Sequence, residues 1–158
     1  MIQINAPDFT LKDQTGADFK LYDNLTEKIL LVFYPKDGSY VCSNQLSDYT
    51  ANSELFKKHG IQVYGISRDT VDSHKKFCES LKTDIRLLSD ETGEVCRNYE
   101  AVGFLGMPKR KLVLIDETGK VRYSRTVFSL LFPTAERILD DLRKANVIPT
   151  GNQEMGGV

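Results

Sequence analysis

The sequence predicts an α/β domain in which a central mixed β-sheet carries helices on both faces and an N-terminal β-hairpin. Three observations lead there. Residues 29–34, I-L-L-V-F-Y, form an unbroken apolar run and residues 61–66, I-Q-V-Y-G-I, form a second; such runs mark strands buried on both sides of a sheet. After each run comes a stretch whose apolar residues recur at helical spacing. Near the C-terminus two more strand-like stretches bracket a glycine turn and precede a last helix, and strands alternating with helices in this way build a sheet covered on both faces.

At 158 residues the chain is expected to form one domain over residues 1–148, followed by a flexible tail over 149–158 that holds Gly151, Gly156 and Gly157. Hydrophobic residues make up 41% and charged ones 27%, which is enough apolar content to bury a core and excludes wholesale disorder. The net charge of −1 gives no electrostatic footprint for nucleic acid or an anionic membrane. No apolar run reaches the roughly 20 residues of a membrane-crossing helix. Residues 1–5 have neither the basic nor the apolar segment of a secretion signal, so a cytoplasmic location is the expectation. Three cysteines in such a chain read as reactive or buried thiols and not as a structural framework.

The elements follow in order. D-F-T-L at 8–11 and D-F-K-L at 18–21 alternate in polarity around a loop carrying Asp13 and Gly16, which is a β-hairpin pattern. The strand at 29–34 ends at Pro35, which has no N–H to offer a ladder, and Lys36, Asp37 and Gly38 are turn residues. Cys42, Leu46, Tyr49 and Phe56 then share one stripe of a helix capped by Ser39 and closed by His59 and Gly60. Beyond the strand at 61–66, Asp69 or Thr70 caps a helix with the stripe Val71, His74, Phe77, Cys78 and Leu81. Residues 85–88 form a short strand, and Asp90 opens a short helix with Val95, Cys96 and Tyr99. Residues 111–116 and 121–127 pair around E-T-G-K, and Thr134 caps the last helix, whose apolar face holds Ala135, Ile138, Leu139 and Leu142.

Cys42 thus lies in the first turn of a helix that springs from the end of a central strand. The unpaired N–H groups and the positive dipole end at that place favour a thiolate over a thiol and can hold a polar substrate oxygen. For the cysteine taken alone, a buried and inert side chain is the competing reading.

The neighbouring residues bear on that choice. Pro35-x-x-x-Ser39-x-x-Cys42 resembles the active-site signature of the peroxiredoxins, Pro-x-x-x-Thr/Ser-x-x-Cys. F-Y-P-K-D at 33–37, L-L-S-D at 87–90 and L-I-D-E-T-G-K at 114–120 resemble the bacterioferritin comigratory protein, or peroxiredoxin Q, branch. Tyr40 stands where that branch often has a proline. The resemblance spans most of the chain. It implies a thioredoxin-like fold and a thiol-dependent peroxidase that reduces hydrogen peroxide and organic hydroperoxides. In it Cys42 is the peroxidatic cysteine, oxidised to a sulfenic acid, Pro35 shields that cysteine from water, and Ser39 and Arg110 bind the peroxide oxygens. Many members of the branch place a second cysteine five residues after the first, where this chain has Ser47. Others place it in a Phe-Cys pair after the second central strand. Phe77-Cys78 resembles that arrangement and implies Cys78 as the resolving cysteine. A thioredoxin or similar dithiol would reopen the resulting intramolecular disulfide. No metal, flavin or haem is implied, and neither nucleic acid nor membrane; the chain would be a monomer or a weak homodimer.

Arg110 precedes the strand at 111–116, inside the basic run Lys109-Arg110-Lys111, where a solvated side chain is the alternative to a catalytic one. A guanidinium facing Cys42 would stabilise a thiolate and hold an oxygen with its rigid fork of donors. Gln45, one turn beyond Cys42, either orients that arginine or faces solvent. His59 and His74 lack metal-ligand spacing and read as surface or helix-face residues. Cys96, beside Val95, reads as a structural cysteine. Two other function classes stand against the peroxidase. A disulfide oxidoreductase needs Cys-x-x-Cys, and Cys42-Ser43-Asn44-Gln45 lacks the second thiol. A non-catalytic thioredoxin-fold module has no need of Pro35, Ser39 and Arg110 together.

Overall fold

The structure, a computed structural model, describes residues 4–127 and 131–150. The tail expected over 149–158 therefore lies outside the described residues from 151 onward. Among the described residues, seven strands form one sheet: β1 (Thr10–Lys12), β2 (Asp18–Lys20), β3 (Lys28–Phe33), β4 (Ile61–Ser67), β5 (Arg86–Ser89), β6 (Arg110–Ile115) and β7 (Val121–Val127). Their order is β2-β1-β5-β4-β3-β6-β7. The pairs β3–β4 and β4–β5 are parallel, while β1–β2, β1–β5, β3–β6 and β6–β7 are antiparallel, so the sheet is mixed as expected. The helices are α1 (Tyr40–Ala51), α2 (Ser53–Lys58), α3 (Val71–Leu81), α4 (Glu94–Asn98) and α5 (Ala135–Lys144). Among the described residues no helix is long and apolar enough to cross a membrane.

The two central strands explain why the sequence needs unbroken apolar runs. Along β3, Leu30 and Val32, with Tyr34 just beyond, enter one core, and Ile29, Leu31 and Phe33 enter the other. β6 alternates in the same way, Leu112 and Leu114 against Val113 and Ile115. A strand with helices or loops on both faces must be apolar at every position. The first core takes its cover from α1, α2, α3 and α5, through Leu46, Tyr49, Phe56, Phe77, Ile138 and Leu142. The second is closed by α4 and by the N-terminal hairpin region, through Val95, Cys96, Phe9 and Phe19. Gly65 in β4 has a packing reason to be glycine. A Cβ there would sit 2.7 Å from Leu87 Cδ2 and 3.1 Å from the Tyr34 ring.

Most strands shift by a residue or two from expectation, with Arg110 falling inside β6 and not ahead of it, and two helix boundaries differ. The helix predicted as one piece from Cys42 through Phe56 breaks at Asn52, whose φ of −107° and ψ of 18° leave the helical region. Its backbone N–H and its side-chain amide both donate to the Asp48 carbonyl, at 3.1 and 2.8 Å. A side chain that competes for the backbone's own acceptor is how asparagine interrupts helices. Asp90 does not itself begin the short helix. Gly93 is the residue before α4, at φ 77°, while the Asp90 carboxylate accepts from Val95 N at 3.2 Å and Cys96 N at 2.8 Å. Thr70 and Thr134 cap α3 and α5 as predicted, accepting from Ser73 N and Arg137 N.

The two hairpin loops share a device, D-x-T-G, at Asp13 and again at Asp116. In each, the aspartate accepts from the threonine N–H at 2.9 Å and the threonine hydroxyl at 2.6 Å, and the glycine sits at φ 84°. Arg86 adds an ion pair to Asp13 at 2.8 Å, and Arg122 one to Asp116 at 3.4 Å. Burial pulls both carboxyl groups upward, but these hydrogen bonds and cations outweigh it and hold them below the ordinary aspartate value of 3.8. Asp141, gripped by Tyr123, Arg137 and Arg125, behaves in the same way. A depressed folded-state value means that the unfolded chain binds protons first as pH falls. Stability should thus be complete above about pH 4 and fall progressively below it. Denaturant midpoints followed by circular dichroism from pH 7 down to pH 3 check this, and a midpoint independent of pH would contradict it. Asp116→Asn should flatten the acid limb while lowering the neutral plateau.

Candidate active site

The site is assembled by strand ends. β3 delivers the chain to Pro35, which is half-buried immediately after Tyr34, and the loop at 36–38 turns it into α1. Ser39 has the extended conformation of a cap (φ −70°, ψ 152°), and its hydroxyl accepts from Cys42 N at 3.4 Å. Cys42 is accordingly the third residue of α1, among backbone N–H groups that have no partner within the helix. Its side chain is fully buried.

β6 runs antiparallel beside β3, with Lys111 opposite Phe33, so the first residue of β6 lies next to the last of β3. That residue is Arg110. It shares the face of Leu112 and Leu114, which is the face α1 covers. Lys111, one residue on, points the other way and donates to the Tyr99 carbonyl at 2.7 Å. The Arg110 guanidinium is only 5% exposed, and its Nη1 and Nη2 approach Cys42 Sγ at 3.5 and 3.4 Å. Nη1 also donates to Gln45 Oε1 at 2.5 Å. An arginine only donates, so it requires the amide oxygen and turns the amide nitrogen away. That nitrogen lies 3.1 Å from Tyr49 Oη, and Tyr49 in turn donates to the Pro133 carbonyl at 2.7 Å. Burial keeps Tyr49 a neutral phenol by raising its pKa. The Asp48 carboxylate accepts from Ala135 N at 2.7 Å, which ties α1 to the start of α5.

Of the predicted residues, Cys42, Ser39 and Arg110 come together. Gln45 turns out to orient the arginine. Pro35 adjoins them in sequence at the strand end. All three cysteines are free and buried. Cys78 lies on α3 in the same core as Cys42, with its Sγ 3.8 Å from the Ile85 carbonyl oxygen. Burial, and then the negative charge of Asp37, pushes its thiol up to about 12. Cys96 belongs to the core on the opposite face of the sheet, and burial together with Asp90 raises its pKa as well.

Of the two readings for His74, surface or helix face, the structure gives the second: it lies on the buried stripe of α3, with Nδ1 2.7 Å from Asp37 Oδ2 and Nε2 3.1 Å from the Leu88 carbonyl oxygen. Asp37, read as a turn residue, is its partner. The available signal was a polar residue in the middle of the stripe Val71, Phe77, Cys78, which a buried position must satisfy with a partner elsewhere.

Comparison with known proteins places this geometry. The family model described as AhpC/TSA family matches residues 2–124. The chain belongs to that family. Its relatives within the AhpC/TSA family include the chloroplastic peroxiredoxin Q of Arabidopsis thaliana, 39% identical over 119 residues, and a peroxiredoxin bcp of Helicobacter pylori, 37% identical over 117. The first match covers 74% of this chain and 55% of the relative, and the second covers 74% of each. The chain thus spans little more than half the length of the plant relative. Among solved structures, the peroxidoxin BcpB of Mycobacterium tuberculosis superimposes with a TM-score of 0.81 at 29% identity, over 94% of this chain and 97% of that one. The sheet described above is the thioredoxin-like fold of the peroxiredoxins, and the chain falls in their Q/bcp branch.

Proposed function

We propose that this chain is a thiol-dependent peroxidase that reduces hydrogen peroxide and organic hydroperoxides through Cys42. The observation that carries the reading is the pair of Arg110 nitrogens 3.4 and 3.5 Å from Cys42 Sγ, in the first turn of α1. The Cys42 thiolate attacks one peroxide oxygen, so an S–O bond forms as the O–O bond breaks. The departing oxygen leaves as water or an alcohol once it takes a proton, and Cys42 is left as the sulfenic acid. Charge grows on that oxygen in the transition state. Arg110 and the N–H groups of the α1 turn are already in place to meet it without reorganising. The Ser39 hydroxyl, which accepts from Cys42 N, keeps its own O–H to donate. Burial of the site excludes water that would weaken these bonds.

Cys78 is the resolving cysteine in this reading, because it shares a core with Cys42 while Cys96 lies across the sheet. Its thiolate attacks the sulfenic sulfur, an S–S bond forms, and the hydroxyl leaves as water. The two sulfurs have separate partners in the structure, Arg110 for one and the Ile85 carbonyl for the other. Joining them takes both sulfurs from those partners, and this reading assigns that step to a local opening of α1 or α3. A thioredoxin-like dithiol then regenerates both thiols, in a reducing compartment such as the cytoplasm.

The test is peroxide consumption with and without a dithiol. The unaltered chain should turn over with thioredoxin and oxidise to a monomer whose peptide map joins Cys42 to Cys78. Cys78→Ser should consume one equivalent of peroxide and then stall with thioredoxin, whereas Cys96→Ser should turn over normally. Mapping that joined Cys42 to Cys96, or to Cys42 of a second chain, would reassign the resolving thiol.

A further inference from the structure

The loop that presents Cys42 and the helix that carries Cys78 are joined by a buried polar cluster that the peroxidase chemistry does not use. Asp37 lies in that loop, between Pro35 and Ser39, and its side chain is only 5% exposed. Its Oδ1 accepts from the Tyr34 hydroxyl at 2.6 Å. Its Oδ2 lies 2.7 Å from His74 Nδ1 and accepts from the Ser73 hydroxyl at 2.8 Å, both on α3. Its backbone N–H donates to Asp69 Oδ2 at 2.9 Å, just ahead of α3. The far side of the His74 ring reaches the Leu88 carbonyl of β5. One carboxylate therefore holds the end of β3, the Cys42 loop and the first half of α3 together. The ligand atoms of Asp37, Asp69 and His74 lie within 4.8 Å of one another, yet both Asp37 oxygens and Asp69 Oδ2 already accept from protein donors. The cluster reads as a tie between segments and not as a cation site.

We propose that the Asp37–His74 pair is a latch that gates the resolving step, so that its strength sets how long Cys42 sulfenic acid persists before Cys78 reaches it. The inference rests on the reading of Cys42 and Cys78 given above. Cys78 lies one turn beyond His74 on the same buried face of α3. The latch acts on an opening that moves the Cys42 loop or the first half of α3, since either movement parts His74 from Asp37. An interaction present in the closed state and lost on the way to opening slows opening by its full worth. While the latch holds, Asp37 also keeps its negative charge near Cys78, which opposes the thiolate that must attack. A sulfenic acid that waits is open to a second peroxide, which would carry it to the sulfinic acid. The latch thus trades speed of resolution against that overoxidation. Asp37 and His74 are positioning residues on this view, and neither touches the reacting atoms.

The experiment uses the full chain, reduced, mixed with hydrogen peroxide and quenched at intervals, with thiol, sulfenic, disulfide and sulfinic forms separated by intact mass. In His74→Gln and in Asp37→Asn the first step, loss of the Cys42 thiol, should keep its rate. Disulfide formation should accelerate about tenfold, the equivalent of about 1.4 kcal/mol, and the sulfinic fraction at high peroxide should fall. Ser73→Ala, at a half-buried position, should move the same two readouts in the same direction by less, and stands in should either core variant fail to fold. Hydrogen exchange should quicken in α3 while β3 and β4 keep their protection. A Cys42–Cys78 disulfide that formed at an unchanged rate in these variants would overturn the latch alone. A first step slowed as much as the second is quickened would show that the cluster positions Cys42 itself, and would also overturn it. Failure of the unaltered chain to form that disulfide would overturn the assignment of Cys78 and the latch with it.

Discussion

Cys42→Ser should consume no hydroperoxide above the uncatalysed background, with or without a dithiol, while its circular dichroism and melting curve stay close to those of the unaltered chain. A serine oxygen can accept from Arg110 in place of the sulfur, so the buried guanidinium keeps an acceptor and the fold has no reason to fail. The nucleophile, however, is gone. A serine hydroxyl without an adjacent base does not attack a peroxide oxygen, whereas a thiolate does. Peroxide loss followed by an orthogonal dye, with Cys96→Ser as the matched control, makes the comparison. Retained turnover in Cys42→Ser would remove the basis of the whole functional reading.

Arg110→Ala should slow peroxide reduction by about a hundredfold to a thousandfold, on the order of 3 to 4 kcal/mol of lost transition-state stabilisation. Two independent losses combine in it. The thiolate loses the cation 3.4 Å away, and the departing oxygen loses a preorganised donor. Alkylation of Cys42 by iodoacetamide should slow in parallel, since the same thiolate is the nucleophile there and no peroxide oxygen is involved. The difference between the two decrements measures what Arg110 does for the peroxide itself. Arg110→Lys should recover only part of the rate, because a single ammonium nitrogen lacks the rigid fork whose two nitrogens both reach the sulfur while one also holds Gln45 Oε1. Lys111→Ala should leave the rate unchanged, because Lys111 donates across the sheet to the Tyr99 carbonyl. A large effect at Lys111, with none at Arg110, would mean that the face of β6 had been misassigned.

Much of this arrangement was legible from residues alone because it depends on local rules. The apolar runs at 29–34 and 61–66 reveal central strands through the absence of any polar position. Ser39, Thr70 and Thr134 reveal helix starts because a hydroxyl at that place satisfies an N–H that the helix cannot. Where local rules compete, the sequence reading went astray. Asn52 lies on a helical pattern that continues to Phe56, and only its observed backbone conformation, φ −107° and ψ 18°, shows the break. The first residue of α4 was misjudged because Asp90 serves Val95 and Cys96 from outside the helix.

By itself the sequence determined the α/β class, the strand-to-helix turn at Cys42 and the cap that Ser39 provides, since each follows from neighbours within a few residues. The family resemblance singled out Arg110 among three consecutive basic residues, and the tertiary structure supplies the reason that it is the one to meet the sulfur. Side chains alternate along a strand, so a one-residue change of register would exchange Arg110 for a lysine on the wrong face. The β3–β6 pairing that sets this register joins segments far apart in the chain. The tertiary structure alone also placed Cys78 in the core of Cys42 and Cys96 in the other, because two cysteines on apolar helix stripes look alike until the sheet divides them. It alone brought His74 to Asp37. A buried polar residue announces that it needs a partner, but which partner it finds depends on the packing of helix against loop, and no spacing along the chain encodes that.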